Sequence, residues 1–172
     1  LSTVETYLAG FIHDNMGISV LATGRQDTTE WFSALYRLQS NFDSAVTLQL
    51  ADDFFLYSPG VDLFVCKTAG ISRNLRSTLS ALIDEDVYFL PENKGLWLQI
   101  QADGANYLTR VLRVNNSYIG AVINVDNALL TLFGSVGQNH HFDFVTRDGL
   151  LLGTSPPVAQ IEDYAQQDFS TY

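Results

Sequence analysis

The sequence predicts an α+β fold in which helices cover an antiparallel sheet. Helical periodicity dominates the first 50 residues, and β-prone runs separated by turn residues follow. Strands joined in sequence by short turns pair antiparallel, and helices between such strands are typical of the α+β class. The run Tyr118–Val125 is apolar on both sides, which predicts that helices lie on both faces of the sheet.

Two amphipathic helices are predicted in the N-terminal region. Ser2 and Glu5 have the spacing of a capping box, and the helix that follows is expected to end near Gly17. The second helix is expected to open at Asp27, with Glu30 three residues later. Its apolar residues recur every three to four positions: Trp31, Leu35, Leu38, Phe42 and Val46. Such a stripe is stable only when it packs against another region of the protein.

The middle of the chain predicts a sheet with one further helix, Ser72–Ile83. The β-prone runs are 54–57, 63–65, Leu96–Gln101, Tyr107–Val114 and Tyr118–Val125. Ser58-Pro59-Gly60 supplies the turn of a first hairpin. Asp103-Gly104 and Asn115-Asn116 supply the turns that join the last three strands, and Asp-Gly is a strong hairpin signal.

The C-terminal region predicts a short helix and a last hairpin. Asp126 is expected to cap the helix, which ends near Leu132. The hairpin runs from His141–Val145 through Asp148-Gly149 to Leu150–Gly153. The chain is therefore expected to be one domain, in which residues 1–50 are helical, residues 51–157 form the core and residues 158–172 are a polar tail.

Composition excludes several partners and chemistries. A formal charge of −10 argues against nucleic acid and against an anionic membrane surface, because both need basic residues. Cys66 is the only cysteine, so the chain can form neither an internal disulfide nor a cysteine metal cluster, and Cys66 is expected to be a small buried apolar residue. No apolar run approaches the roughly 20 residues that a membrane span needs.

Three segments resemble Cache domains, the extracellular PAS-like sensors of bacteria. Residues Tyr107–Phe133, YLTRVLRVNNSYIGAVINVDNALLTLF, resemble the central strand pair and following helix, and His141–Pro156 resembles the final hairpin. Residues 51–70, ADDFFLYSPGVDLFVCKTAG, resemble the first hairpin in extracellular regions of Gram-positive sensor histidine kinases, and related regions occur in membrane-bound AraC-type regulators. The resemblance implies a PAS-like antiparallel sheet of five to six strands. A long N-terminal amphipathic helix would lie on one face and short helices on the other.

The resemblance also implies a function. The chain would be the signal-sensing domain of a bacterial transmembrane receptor, with a two-component histidine kinase as the preferred output. It would lie outside the cell or in the periplasm, bind a small molecule and act as a homodimer, and the membrane spans would lie outside this chain. The alternative is a ligand-independent protein-interaction and dimerisation module of a chemoreceptor or AraC-type regulator.

By resemblance, a ligand would lie on the sheet face opposite the long helix, against Tyr88, Phe89, Trp97, Arg110 and Tyr118. Arginine suits a carboxylate because its guanidinium donates two parallel hydrogen bonds, so Arg110 favours an organic acid or an amino acid. Arg110 and Arg113 lie on opposite faces of one strand, and at most one of them can line a given pocket. A structural reading stays open, in which each arginine pairs with one of the 19 acidic residues.

The sequence contains no motif for catalysis, a cofactor or a metal. Phosphate loops, dinucleotide glycine motifs and zincin motifs are absent, and so is the Gly-x-Ser-x-Gly of hydrolases. His140-His141 is the only histidine pair, and adjacent residues of a strand point to opposite faces, so the two cannot easily share one metal ion. We therefore expect no enzyme activity, no cofactor and no metal.

Overall fold

The computed structural model describes residues 1–13, 16–67, 71–128, 143–145 and 151–154. Contacts divide the chain into two compact units, Leu1–Ile123 and Asn124–Tyr172. Among the described residues, no helix combines the length and the apolar character needed to cross a membrane.

The described residues of the first unit form four helices and five strands, and the last strand ends one residue into the second unit. The helices are α1 (Ser2–His13), α2 (Met16–Leu21), α3 (Thr29–Thr47) and α4 (Arg73–Asp84). The strands are β1 (Asp53–Ser58), β2 (Leu63–Cys66), β3 (Leu98–Ala102), β4 (Ala105–Val114) and β5 (Ser117–Asn124). Two 3₁₀ turns, Pro59–Val61 and Val87–Phe89, follow β1 and α4.

The described region before the sheet forms three helices instead of the two predicted, and the N-terminal helix is short, whereas the resemblance implies a long one. The first helix, α1, has only 12 residues, and α2 has six. Gly17 lies inside α2 instead of ending the first helix. The predicted capping box is not formed, because α1 already includes Ser2 and the carboxylate of Glu5 contacts side chains of the sheet.

The 19-residue helix α3 carries the predicted apolar stripe. Its cap is Thr28 and not Asp27, since the Thr28 hydroxyl accepts the Trp31 backbone N–H at 3.2 Å. The buried side chains of α3 are Trp31, Ala34, Leu38, Phe42 and Ala45. Leu35 and Val46, which the sequence places in the stripe, are partly buried beside them.

The five strands form one antiparallel sheet in the order β2-β1-β5-β4-β3. The α+β class and the five-stranded antiparallel sheet are therefore as predicted. Strand β1 pairs with β2 on one side and with β5 on the other, so that Phe55 lies opposite both Cys66 and Gly120. All six residues of β1 are buried, which fits a strand inside the sheet with helices above and below it.

Helices cover both faces, as the apolar pattern of β5 predicts. Alternate residues of a strand point to opposite faces. Phe54 and Leu56 join the core formed with α1, α2 and α3. Phe55 and Tyr57 join a second core that includes α4 and the Val87–Phe89 turn. We call these the α3 face and the α4 face.

Gly120 is required at the centre of the α4 face. A Cβ at this position would lie 2.5 Å from Cε1 and Cζ of Phe55 and 2.8 Å from the carbonyl oxygen of Arg110. The Phe55 ring therefore occupies the space that a side chain on Gly120 would need. A glycine in a strand commonly marks such a close approach.

In the second unit, β6 (Asp143–Val145) pairs antiparallel with β7 (Leu151–Thr154), which agrees with the predicted last hairpin. Residues 125–128 are helical. Their cap is Asn124 and not Asp126, because Asn124 Oδ1 accepts the Asn127 N–H at 3.1 Å. The turn around Asp148-Gly149, His140-His141, the helix end near Leu132 and the tail 158–172 lie outside the described residues.

Candidate ligand-binding site

The five residues predicted to bind a ligand lie on two faces of the sheet. Tyr88, Phe89 and Tyr118 belong to the core of the α4 face. Trp97 packs on the α3 face, and Arg110 contacts Glu5 of α1 on that same side. One pocket cannot be lined by all five.

Trp97 and Arg110 hold helix α1 against the outer strands. The indole Nε1 of Trp97 donates to Glu5 Oε1 at 3.1 Å, and Arg110 Nε lies 3.4 Å from the same oxygen. Arg110 also donates from Nη1 to the carbonyl oxygen of Leu96 at 3.3 Å. The Arg110 side chain is only 14% exposed, so its charge is largely withdrawn from water. Arg110 is therefore paired with an acidic residue, Glu5, which is the structural role that the sequence left open.

Tyr88 is anchored beneath the Val87–Phe89 turn. Its hydroxyl lies 2.7 Å from Thr109 Oγ1, which itself donates to the carbonyl oxygen of Leu98. Because the Thr109 proton is directed to Leu98, Tyr88 is the donor in the first bond. Burial raises the pKa of Tyr88 to about 12, so this phenol stays neutral and structural.

Three aromatic side chains form a row across the α4 face, and we call Phe64, Tyr57 and Tyr118 the aromatic row. Tyr57 lies opposite Phe64 on β2 and opposite Tyr118 on β5. The ring centroids of Tyr57 and Phe64 are 5.9 Å apart. Phe89 covers the other end, with its ring centroid 5.5 Å from that of Tyr118. The Tyr57 and Phe64 rings are inclined by 42°, and Tyr57 and Tyr118 are buried, so the row belongs to the packed core of the α4 face.

An arginine lies over each end of the aromatic row. The guanidinium carbon of Arg76 is 5.0 Å from the ring centroid of Phe64, and that of Arg113 is 5.7 Å from the ring centroid of Tyr118. Both are cation–π distances. Both arginines are exposed, in contrast to Arg110, so their outer nitrogens can donate to a ligand at the surface above the row.

A carboxylate lies above the centre of the row. The Tyr57 hydroxyl donates to both oxygens of Asp84, at 3.2 and 3.1 Å. Burial, together with the bond to Asp84, raises the pKa of Tyr57. Asp84 is exposed at the end of α4 and can accept a hydrogen bond from an ammonium group. Two exposed guanidinium groups and one exposed carboxylate therefore surround the aromatic row.

Sequence reasoning did not single out Tyr57 and Asp84, and it left open whether Arg110 or Arg113 faces a pocket. The signal for Arg113 is its position relative to Tyr118 across the Asn115-Asn116 turn, because a two-residue turn places the residues flanking it on matching faces. The place of Tyr57 in the row depends on the pairing of its strand with β5, which the sequence does not predict. No signal in the sequence indicates Asp84, since its position depends on how α4 packs.

The described residues offer no metal centre, because nowhere among them do three His, Cys, Asp or Glu side chains converge. Cys66 is half-buried on the α4 face, slightly more exposed than expected. Burial raises the pKa of its thiol, so the reactive thiolate is disfavoured.

Comparisons with known proteins do not assign the chain to a family. It matches no protein-family model, no curated protein and no solved structure.

Proposed function

We propose that this chain is the extracytoplasmic sensing domain of a bacterial transmembrane receptor, of the PAS-like Cache type, with a histidine kinase as its output. Its support is the resemblance in the sequence together with an antiparallel sheet covered by helices on both faces. The ligand would be a small organic acid or amino acid held at the aromatic row. It would bind through Arg113 and not through Arg110.

The observation that carries the proposal is the exposed guanidinium of Arg113 beside the buried ring of Tyr118. The guanidinium offers a carboxylate two donors, and the ring beneath it holds the guanidinium in place. If the ligand is an amino acid, Asp84 supplies an acceptor for its ammonium group. Arg110 is unsuited to this role because it already contacts Glu5 on the other face.

The sheet would relay the signal from the α4 face to the α3 face. Tyr118 faces the ligand, and the next residue, Ile119, is fully buried in the core formed with α1, α2 and α3. A shift of β5 therefore changes the surface on which α3 packs. A ligand changes the balance between two such arrangements only by the difference between its affinities for them.

A thermal-shift screen of organic acids and amino acids tests the proposal. A ligand at 100 times its dissociation constant adds about 2.7 kcal/mol to the free energy of unfolding. Arg113→Gln should abolish the shift. Arg37→Gln is the matched control because Arg37 is an exposed arginine of α3, and it should keep the shift. A screen without hits, or an undiminished shift in Arg113→Gln, contradicts this site.

One observation favours the second candidate function, a protein-interaction or dimerisation module. Phe32 and Tyr36 on the outer side of α3 are 58% and 74% exposed. They line an open surface groove together with Thr29, Ser33 and Arg37. Sedimentation analysis of the chain and of the double variant Phe32→Ser/Tyr36→Ser tests this candidate. A dimer that the double variant converts into a monomer supports it, and a monomeric parent chain argues against it.

A further inference from the structure

Asp53 is a buried acid with one unsatisfied oxygen. It opens β1, and only 3% of its surface is exposed. Its Oδ1 accepts the backbone N–H groups of Phe54 at 2.7 Å and Lys67 at 3.3 Å. Its Oδ2 has no partner among the described residues. A buried carboxylate oxygen without a donor is costly when the group is charged, and far less so when it is protonated.

No counter-ion neutralises Asp53 within hydrogen-bonding distance in the described structure. The charged groups that act on it are Lys67, at the end of β2, and Asp43, on α3. Cys66 lies beside it as a protonated thiol, and Val122, its partner on β5, is apolar.

The surroundings of Asp53 favour its neutral form. Burial raises the pKa of Asp53 to about 6, and the two backbone hydrogen bonds and the charge of Lys67 only partly oppose this effect.

We propose that Asp53 is a proton-responsive switch that holds the end of β2 against the start of β1 while its carboxyl group is neutral. The bond from the Lys67 N–H joins the two strands beyond their last paired residues, Phe55 and Cys66. Ionisation strengthens the bond from the Lys67 N–H, but the cost of a buried charge with a bare oxygen at this junction is larger. The protein relieves that charge by letting water reach Asp53, which opens the junction.

The direction of the pH effect follows from linkage. The folded state retains the Asp53 proton to a higher pH than the unfolded state, whose aspartate has a pKa of about 3.9. The contribution of Asp53 to stability is therefore fully present below pH 4 and is lost as the pH rises through about 6. A chain located outside the cytoplasm, as proposed above, would tighten this junction when its surroundings become acidic.

The switch is separate from the ligand site. Asp53 and Tyr57 stand towards opposite ends of β1. Titration of Asp53 needs no ligand. The proposed switch can therefore be wrong while carboxylate binding at Arg113 is right, and the reverse can also be true.

Urea unfolding between pH 4 and pH 7 tests the switch on the complete chain and on Asp53→Asn, which keeps an acceptor for both backbone N–H groups. The folding equilibrium constant of the parent should fall by about 50-fold more than that of Asp53→Asn across this range. Asp52→Asn removes the adjacent exposed acid and should behave like the parent. Equal pH dependence in the parent and Asp53→Asn overturns the proposal.

A direct titration covers the case in which Asp53→Asn fails to fold. The side-chain carboxyl carbon of Asp53 can be followed by NMR in the ¹³C-labelled parent chain. A midpoint near pH 6, accompanied by faster amide exchange of Lys67 above that pH, is the expected result. A midpoint near the ordinary aspartate value, or exchange of Lys67 that does not follow the titration, overturns the proposal.

Discussion

Gly120→Ala is the substitution whose cost the structure specifies most closely. Its Cβ would lie 2.5 Å from two atoms of the Phe55 ring and 2.8 Å from a backbone oxygen of Arg110. The Phe55 side chain is fully buried, and the backbone oxygen belongs to the neighbouring strand, so neither can move freely. Overpacking of this kind costs about 1–3 kcal/mol. The opposing gain from a less flexible unfolded chain is about 0.4–1 kcal/mol.

The expected net loss in the free energy of unfolding is about 1–2 kcal/mol. Urea unfolding should show a lower midpoint with an unchanged slope. Gly60→Ala is the matched control, because a Cβ there has nothing within 4 Å, and it should keep or raise the stability of the parent, by up to about 1 kcal/mol. Equal stabilities of the two variants would refute the register that places Phe55 opposite Gly120.

Three further substitutions test single contacts by urea unfolding. Glu5→Ala removes the partner of Trp97 and of the mostly buried Arg110 and should cost about 1–2 kcal/mol; no loss would mean that α1 is not anchored there. Ser72→Ala removes the cap of α4 and its bond to Asp103 and should cost about 1 kcal/mol, whereas an unchanged midpoint would argue against this cap. Tyr88→Phe should also cost about 1 kcal/mol through the lost bond to Thr109, and a stability equal to the parent would exclude that bond.

Most elements of the first unit can be predicted because a buried face requires a different spacing of apolar residues in a helix and in a strand. The apolar residues of α3 recur every three to four positions, and those of β5 lie on both sides of the strand. The structure buries both sets as these patterns predict. The turns Asp103-Gly104 and Asn115-Asn116 fix which strands are neighbours. Both turns contain residues with positive φ, at Asp103 and Gly104 and at Asn115, as tight hairpins require.

Helix ends are less predictable because several capping residues stand side by side. Asp27 and Thr28 can each cap α3, and the extended backbone of Thr28, with φ −101° and ψ 145°, decides between them. Asn124 and Asp126 pose the same choice at the next helix, and Asn124 makes the bond. The split of the N-terminal region into three helices likewise depends on tertiary packing, which propensity alone does not encode.

The sequence does not predict which residues come together at the candidate site. Alternation shows that Arg110 and Arg113 lie on opposite faces, but it does not show which face receives α1 and which receives α4. That choice depends on the packing of helices far away in the sequence, and it places Arg110 beside Glu5 and Arg113 beside Tyr118. For the same reason Trp97, which is expected on the ligand face, packs on the α3 face.

An NMR titration of the ¹⁵N-labelled chain with the strongest hit of the thermal-shift screen tests carboxylate sensing most directly. We expect saturable shift changes centred on the amides of Tyr57, Arg113 and Tyr118, and their loss in Arg113→Gln. Changes centred on Glu5 and Trp97, or no saturable changes at all, would contradict ligand binding at the aromatic row.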